Sequence, residues 1–192
     1  MSVEESKKLL RKKFLQARKQ LGDMEKLVLN GAIAARIIAM EEFVQADVVA
    51  AYASDGIEVN LRGVIETALQ MHKQVAMPRY NAEKSLYDLA VIEDFQRDMV
   101  TGKYGLPEPR EDLPLASLST KTLWLIPAVA FDRNGMRLGR GGGFYDRLLE
   151  NAPGYRVGVF YQCQYCSEVL PAAEHDQRLD MAVTEQTIYK FN

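Results

Sequence analysis

The sequence has little of what metal-binding, disulfide-stapled, membrane-spanning and polyanion-binding proteins are built from. Its 192 residues include only two cysteines and two histidines. Cys163 and Cys166 form a single C-x-x-C, and a structural zinc site would want a second pair of ligands. His72 and His175 lie neither near that pair nor at a ligand spacing from one another. A thioredoxin-type dithiol usually opens a helix early in its fold, whereas this pair comes late in the chain, so the plain reading is two reduced structural thiols. No run of about 18 apolar residues is present, which argues against a membrane-spanning helix. The charged start Ser2-Val3-Glu4-Glu5-Ser6-Lys7-Lys8 lacks the apolar stretch of a secretory signal, and the cytoplasm is the expected compartment. With a net charge of −2, neither sign dominates, and a bulk nucleic-acid binder is not expected. Internal repeats and low-complexity tracts are absent.

What is present fits an ordinary globular chain, 47% hydrophobic and 26% charged, of a length suited to one domain. Its most distinctive stretch is Leu138-Gly139-Arg140-Gly141-Gly142-Gly143-Phe144-Tyr145-Asp146. Three consecutive glycines free the backbone to adopt positive φ and let N–H groups approach an oxyanion without side chains intervening. Arg140 adds a planar, permanently charged fork that matches phosphate oxygens. The apolar spacing after the glycines predicts a helix, so the loop feeds a helix N-terminus. A Walker loop would continue with Lys-Ser or Lys-Thr, and a dinucleotide loop would have glycine at Phe144, so neither standard fingerprint applies. A flexible surface loop is the bland alternative. Three glycines in a row lose much backbone entropy on folding, which weighs against it.

The pattern around the loop is that of a three-layer α/β domain spanning residues 1–192, a mostly parallel, Rossmann-like open sheet flanked by helices. An N-terminal helical segment, about residues 2–40, packs on that core. Ser2-Val3-Glu4-Glu5 matches a capping box, and Val3, Leu9, Leu10, Phe14, Ala17 and Leu21 recur at helical spacing up to Gly22. Lys7, Lys8, Arg11, Lys12, Lys13, Arg18 and Lys19 fill the other face, which reads as mostly solvated. Asp23 is the expected cap of a second helix, with Leu27, Ile33, Ile37 and Ile38 as its apolar stripe. Val48 to Tyr52 is a short, wholly apolar run of the kind buried in a parallel sheet. A helix near 61–72 and a strand Gln74–Met77 complete a βαβ unit, and Leu86–Ile92 is expected to pair back as a hairpin. Gly102 to Pro109 reads as a rigid, turn-rich surface loop. Thr122–Ile126, Ala128–Asp132, Tyr155–Tyr161 and a terminal pair in 182–191 are further strands.

Two acidic features accompany the glycine loop. Asp146 stands where a divalent ion companion to a phosphate would be held, or simply where a carboxylate stabilises a helix start. Glu58 lies just past the first strand, at the edge where ligands of parallel sheets bind, and suits an amino-substituted heterocycle. Glu174 to Asp180, a polar cluster just before the last strands, holds a second acidic candidate for the ion, although charged loops are common and position alone gives it little weight.

Taken in order, Lys7-Lys8-Leu9-Leu10-Arg11, Tyr52 to Glu58-Val59, Pro78-Arg79, Gly105-Leu106-Pro107-Glu108-Pro109, Ile126-Pro127, Phe131-Asp132, Arg137 to Asp146, His175-Asp176 and Asp180 resemble the 5-formyltetrahydrofolate cyclo-ligase family. The resemblance implies ATP- and Mg2+-dependent closure of 5-formyltetrahydrofolate to 5,10-methenyltetrahydrofolate, with ADP and phosphate released. It implies Lys7, Lys8, Arg11 and the segment Arg137, Leu138, Gly139, Arg140, Gly141, Gly142, Gly143, Phe144 and Tyr145 for ATP. It implies Arg11, Ala53, Glu58 and Arg140 to Phe144 for the folate, Asp146 and Asp180 for magnesium, and Arg140 with Tyr145 for catalysis. A possibly polyglutamylated folate is the expected partner, with no nucleic acid and no membrane, in a monomer or weak homodimer. The chain departs from the family pattern at Phe144, where many relatives carry tyrosine, at Leu61 in place of a threonine, and at the small Ala53. A sugar-phosphate isomerase-like enzyme, or a non-enzymatic binding protein using the basic first helix, is the alternative.

Overall fold

The computed structural model describes residues 2–103, 105–173 and 176–191. Glu174 and His175, named above, and Tyr104, within the stretch Gly102 to Pro109, lie outside them. The chain starts with α1 (Val3–Lys19), whose capping box forms as the sequence predicts: Ser2 N donates to Glu5 at 2.7 Å and Glu5 N donates to the Ser2 hydroxyl at 3.2 Å. Next come α2 (Asp23–Ala39), capped by Gly22 rather than by Asp23, then α3 (Glu41–Gln45) and β1 (Val48–Ala50). α4 (Arg62–Gln70) leads to β2 (Gln74–Asn81) and β3 (Leu86–Ile92). A short α5 (Phe95–Asp98) precedes the ribbon of β4 (Met99–Thr101) and β5 (Pro107–Pro109). The second half runs β6 (Thr122–Ile126), β7 (Ala130–Asp132), β8 (Arg137–Leu138), α6 (Phe144–Leu149), β9 (Tyr155–Val159), β10 (Tyr165–Cys166), β11 (Met181–Val183) and β12 (Ile188–Lys190).

Among these residues the main sheet has seven strands in the order β12-β11-β9-β6-β1-β2-β3. The five central strands are parallel, and an antiparallel strand closes each edge. Burial on both faces explains the continuous apolar runs. Val49, Val75, Leu123, Leu125, Val157, Val159, Met181 and Val183 face α2, α3 and α4. Val48, Ala50, Ala76, Trp124, Ile126 and Ala182 face the layer that holds α6 and Phe131. Each fully buried aliphatic side chain contributes about 1.5–3 kcal/mol, so these alternating pairs are the framework on which the loops at the strand ends are held.

Two elements differ from the sequence expectation. β2 runs on through Pro78, because β1 has ended and that edge of β2 carries no ladder there; two residues further, Tyr80 N donates instead to the Glu108 carboxylate at 2.9 Å. The proline-rich stretch expected as a surface loop is the β4–β5 ribbon, and Glu108 on it is buried.

The first helix also presents a different face. α1 packs through Phe14 on the small sheet β10-β7-β8, in a cluster with Val129, Ala130, Met136, Leu138, Cys166 and Leu170. Positions 7, 11, 14 and 18 share one helical stripe, so Lys7, Arg11 and Arg18 turn inward with Phe14, while Val3 and Leu9 are exposed. Leu27 of α2 is likewise exposed, and Ile33 and Ile37 carry that helix's packing. Cys163 and Cys166 are free thiols, half-buried and buried.

Candidate active site

The sheet order places β1 beside β6 while the chain leaves β1 toward β2, so the switch point of the fold lies between the carboxyl ends of β1 and β6. A cavity of 630 Å3 opens there, within the usual range for small-molecule sites. Tyr52 and Ala53 line it just past the end of β1, Pro127 and Ala128 just past the end of β6. The β2–β3 arm adds Pro78 and Tyr87, the β4–β5 ribbon Leu106 to Glu108, and the glycine segment supplies the remaining wall.

β8 delivers that segment. Gly141 has φ +101° and Gly143 φ +63°, conformations that side-chain-bearing residues rarely adopt. Gly143 then caps α6, with Arg147 N donating back to its carbonyl at 3.1 Å. Among the described residues no protein acceptor takes the N–H of Gly141, Gly142 or Gly143. Arg11 reaches over from α1 and donates from Nε to the Gly139 carbonyl at 2.9 Å, which ties the basic helix to the loop. Its guanidinium lies 3.5 Å from where a Cβ on Gly141 would be.

Three charged residues from two loops meet across the cavity. Arg140 donates through Nη2 to Asp55 and to Glu58, the latter at 3.0 Å. The Asp55 Oδ1 accepts from Ile57 N and Glu58 N at 3.0 and 2.9 Å, fixing the turn that presents Glu58. Burial pushes the Glu58 carboxyl above its ordinary range, partly offset by Arg140, and Asp55 adds to the rise. Burial acts the same way on Asp55 but is outweighed by Arg140 and the two turn N–H groups, so Asp55 is lowered. Tyr145 also lines the cavity, and burial pushes its phenol well up, leaving a neutral hydroxyl. Phe144 stacks edge-on against Tyr87 with centroids 5.2 Å apart, and Tyr87 against Tyr80 at 5.6 Å, an aromatic wall on one flank.

The remaining expected residues divide. Arg137 is buried and donates from Nη2 to the Asp146 Oδ1 at 2.7 Å, while its Nε has no partner among the described residues. Asp146 lines the cavity and fits a role in which one carboxylate and phosphate oxygens share a magnesium ion. Asp180 stands apart, at the start of β11, where its Oδ2 accepts from Arg156 N at 2.7 Å. No cluster of three candidate metal ligands occurs among the described residues. Lys7 pairs with Asp176 at 2.6 Å, and Lys8 is exposed and outside the cavity wall.

Sequence reasoning missed three residues here. Asp55 had a signal in its Asp-Gly turn, and Glu108 had one in its ordered position between two prolines. Arg18 had none: 1% exposed, it donates from Nη1 to the Ala128 carbonyl at 3.3 Å, while Nε and Nη2 lack partners among the described residues. Burial lowers its pKa, with Glu58 and Asp55 opposing.

Known proteins resemble this chain over nearly its whole length. A protein from Escherichia coli K12 named 5-formyltetrahydrofolate cyclo-ligase is 31% identical over 180 residues, covering 92% of this chain and 98% of that one. A mouse protein of the same name is 26% identical and covers 97% of each chain. The solved structure of the Aquifex aeolicus 5,10-methenyltetrahydrofolate synthetase superposes with a TM-score of 0.83 at 28% identity, covering 97% of this chain and 93% of that one. A sequence model of the 5-formyltetrahydrofolate cyclo-ligase family matches residues 3–185, and with the fold and the cavity at its switch point this chain belongs to that family.

Proposed function

We propose that the chain closes 5-formyltetrahydrofolate to 5,10-methenyltetrahydrofolate at the expense of ATP, through a phosphorylated formyl oxygen. One observation carries the reading: a glycine cradle and the Glu58 carboxylate face each other across one cavity, joined by Arg140. Phosphate and pterin chemistry therefore have neighbouring seats. The match along nearly the full chain favours this over a sugar-phosphate isomerase or a docking protein built on the basic first helix.

The chemistry needs no nucleophile from the protein. The formyl oxygen attacks the terminal phosphorus and ADP leaves. The N10 nitrogen then attacks the formyl carbon, the carbon–oxygen bond breaks, and phosphate departs with the N10 proton. Hydroxide is a poor leaving group and phosphate a good one, so the protein's task reduces to positioning and charge neutralisation.

Each wall has a part. The N–H groups of Gly141 to Gly143 and the Arg140 fork take the terminal phosphate, and Arg11 and Arg137 steady the loop from below. Leu138 and Gly139 set its entry. Lys7 and Lys8 lie on the same helix as Arg11 and meet the outer phosphates. Glu58 accepts from the pterin N–H groups beside Ala53, with Phe144 and Tyr87 against the ring system. The neutral Tyr145 hydroxyl donates to the developing phosphate ester. Magnesium, when bound, neutralises charge on the ATP phosphates. Asp146 would hold it, and Asp180, whose Oδ2 accepts from Arg156 N, would join from outside the cavity wall through its other oxygen. The folate's glutamate tail, in single or polymeric form, would leave by the open side, and the chain would work in the cytoplasm as a monomer or weak dimer.

The test is direct. Purified protein, ATP, magnesium and 5-formyltetrahydrofolate are mixed and the methenyl absorbance followed; a folded protein that gives no absorbance change overturns the reading.

A further inference from the structure

We infer that Asp55 is a positioning residue for Arg140, holding its guanidinium on the folate side of the cavity until a phosphate draws it across. The inference rests on the assignment of Arg140 to phosphate made above.

The two oxygens of Asp55 do different jobs. Oδ1 accepts from Ile57 N and Glu58 N and so shapes its own loop. Oδ2 accepts from Arg140 Nη2, the nitrogen that also donates to Glu58. A single nitrogen thus bridges two carboxylates whose side chains are each 12% exposed, while the arginine is 48% exposed. The acids are fixed by their turn; the arginine is the member able to move. Arg18 on α1 also faces both carboxylates, so they keep a compensating charge when Arg140 turns toward a phosphate on the adjacent Gly141 to Gly143.

Guanidinium recognition of a carboxylate and of a phosphate uses the same N–H groups. Arg140 therefore cannot keep its full pairing with Asp55 and Glu58 while giving its fork to phosphate. Loss of the Asp55 contact is a fixed cost of nucleotide binding. Withdrawal of the same nitrogen from Glu58 also clears an acceptor for the pterin, so nucleotide and folate favour each other, and by linkage the effect is reciprocal.

Asp55→Asn separates the two jobs. The amide oxygen still caps the turn, but the charge and the second acceptor are gone. Affinity for the magnesium salt of a non-hydrolysable ATP analogue is measured by titration calorimetry, without folate, for the wild type, Asp55→Asn, Arg140→Ala and the double variant. Asp55→Asn is expected to bind about two- to fivefold more tightly, the scale of a part-exposed ion pair. Arg140→Ala should bind more weakly, and Asp55→Asn should add nothing in that background. Unchanged or weaker binding by Asp55→Asn, with Arg140→Ala weakened, overturns the positioning role and spares the phosphate role of Arg140. Tighter binding that persists without Arg140 also overturns it, since simple repulsion would then be the cause. An Arg140→Ala variant that binds normally instead removes the phosphate assignment itself. Should the asparagine variant fail to fold, Asp55→Ser, whose hydroxyl also caps such turns, enters the same four-way comparison.

Discussion

Replacing Arg18 with methionine should make the protein more stable and less active. Among the described residues the buried guanidinium leaves two nitrogens unpaired and makes one long hydrogen bond, to the Ala128 carbonyl at 3.3 Å. Each buried unpaired donor costs about 1–3 kcal/mol, against about 1 kcal/mol for the bond that the change removes. Methionine fills the space with an unbranched apolar stem and carries no donor. The difference, about 1–5 kcal/mol, overlaps the gain of about 1–4 kcal/mol found when buried ionic groups are replaced by packed apolar atoms. For a chain of this size, at about 2–4 °C per kcal/mol, a gain of about 1–4 kcal/mol corresponds to a rise of roughly 2–16 °C in Tm, readable by circular dichroism. Function should move the other way. Glu58 is faced by Arg140 from the glycine loop, Asp55 from its own turn, Tyr52 at the end of β1, Tyr145 on α6, Tyr161 after β9 and Arg18 on α1. Burial already favours its protonated form, and loss of the Arg18 charge favours it further. The acid limb of kcat/KM for the folate therefore shifts to higher pH and the folate KM rises. A lower Tm together with an unmoved acid limb would refute the reasoning, since it would mean that the guanidinium is well satisfied and electrostatically remote from Glu58.

Arg140→Ala should cut turnover by about 10²–10³, the scale for losing one donor to developing charge, while Tm measured alongside stays within a few degrees. Asp146→Asn should raise the magnesium concentration needed for half-maximal rate, and a magnesium titration of the two proteins checks it. Gly154 has φ +112° and a Cβ there would strike the Thr122 carbonyl, whereas Gly56, at φ +86°, faces open space. Gly154→Ala should therefore lower the urea midpoint far more than Gly56→Ala, in which backbone strain of about 1–2 kcal/mol is the only cost. Asp98 is held well below the ordinary carboxylate range, first by the Arg97 hydrogen bond and then by the N–H groups of Glu93 and Asp94 against its burial. Its contribution is complete above its unfolded pKa of about 3.9 and is lost as pH falls toward the depressed folded value. The urea midpoints of the wild type and Asp98→Asn should converge between pH 5 and pH 2; a constant gap would count against the assignment.

The α/β layout was legible because burial on both faces of a parallel strand leaves an unbroken apolar run, as in Val48–Ala50 and Thr122–Ile126. The capping box of α1 was legible for a similar reason, being local. What sequence alone could not supply is which side of a mixed helix turns inward. The stripe of Lys7, Arg11 and Arg18 looked solvated since its partners, Asp176, Gly139 and Ala128, come from the other end of the chain. The β4–β5 ribbon was hidden by its prolines, which discourage strands in sheet interiors but are tolerated in a two-stranded edge. Of the candidate site, Ala53, Glu58, Arg137, Gly139, Arg140 and the run Gly142 to Asp146 line one cavity. Lys7, Lys8, Arg11, Leu138, Gly141 and Asp180 lie off its wall, and nothing in a linear sequence measures such separations.

The cavity is bounded by chain segments as distant as Tyr52 and Leu148, and this has a consequence for how the molecule holds together. No fragment owns the site. A ligand seated between the ends of β1 and β6 bridges the two halves of the sheet and binds only when both are folded and joined. At one hundred times its Kd such a ligand adds about 2.7 kcal/mol to stability, and it adds this at the seam. Substrate supply would then govern how long the protein survives in the cell as well as how fast it works, with the unliganded chain the one that proteases reach first.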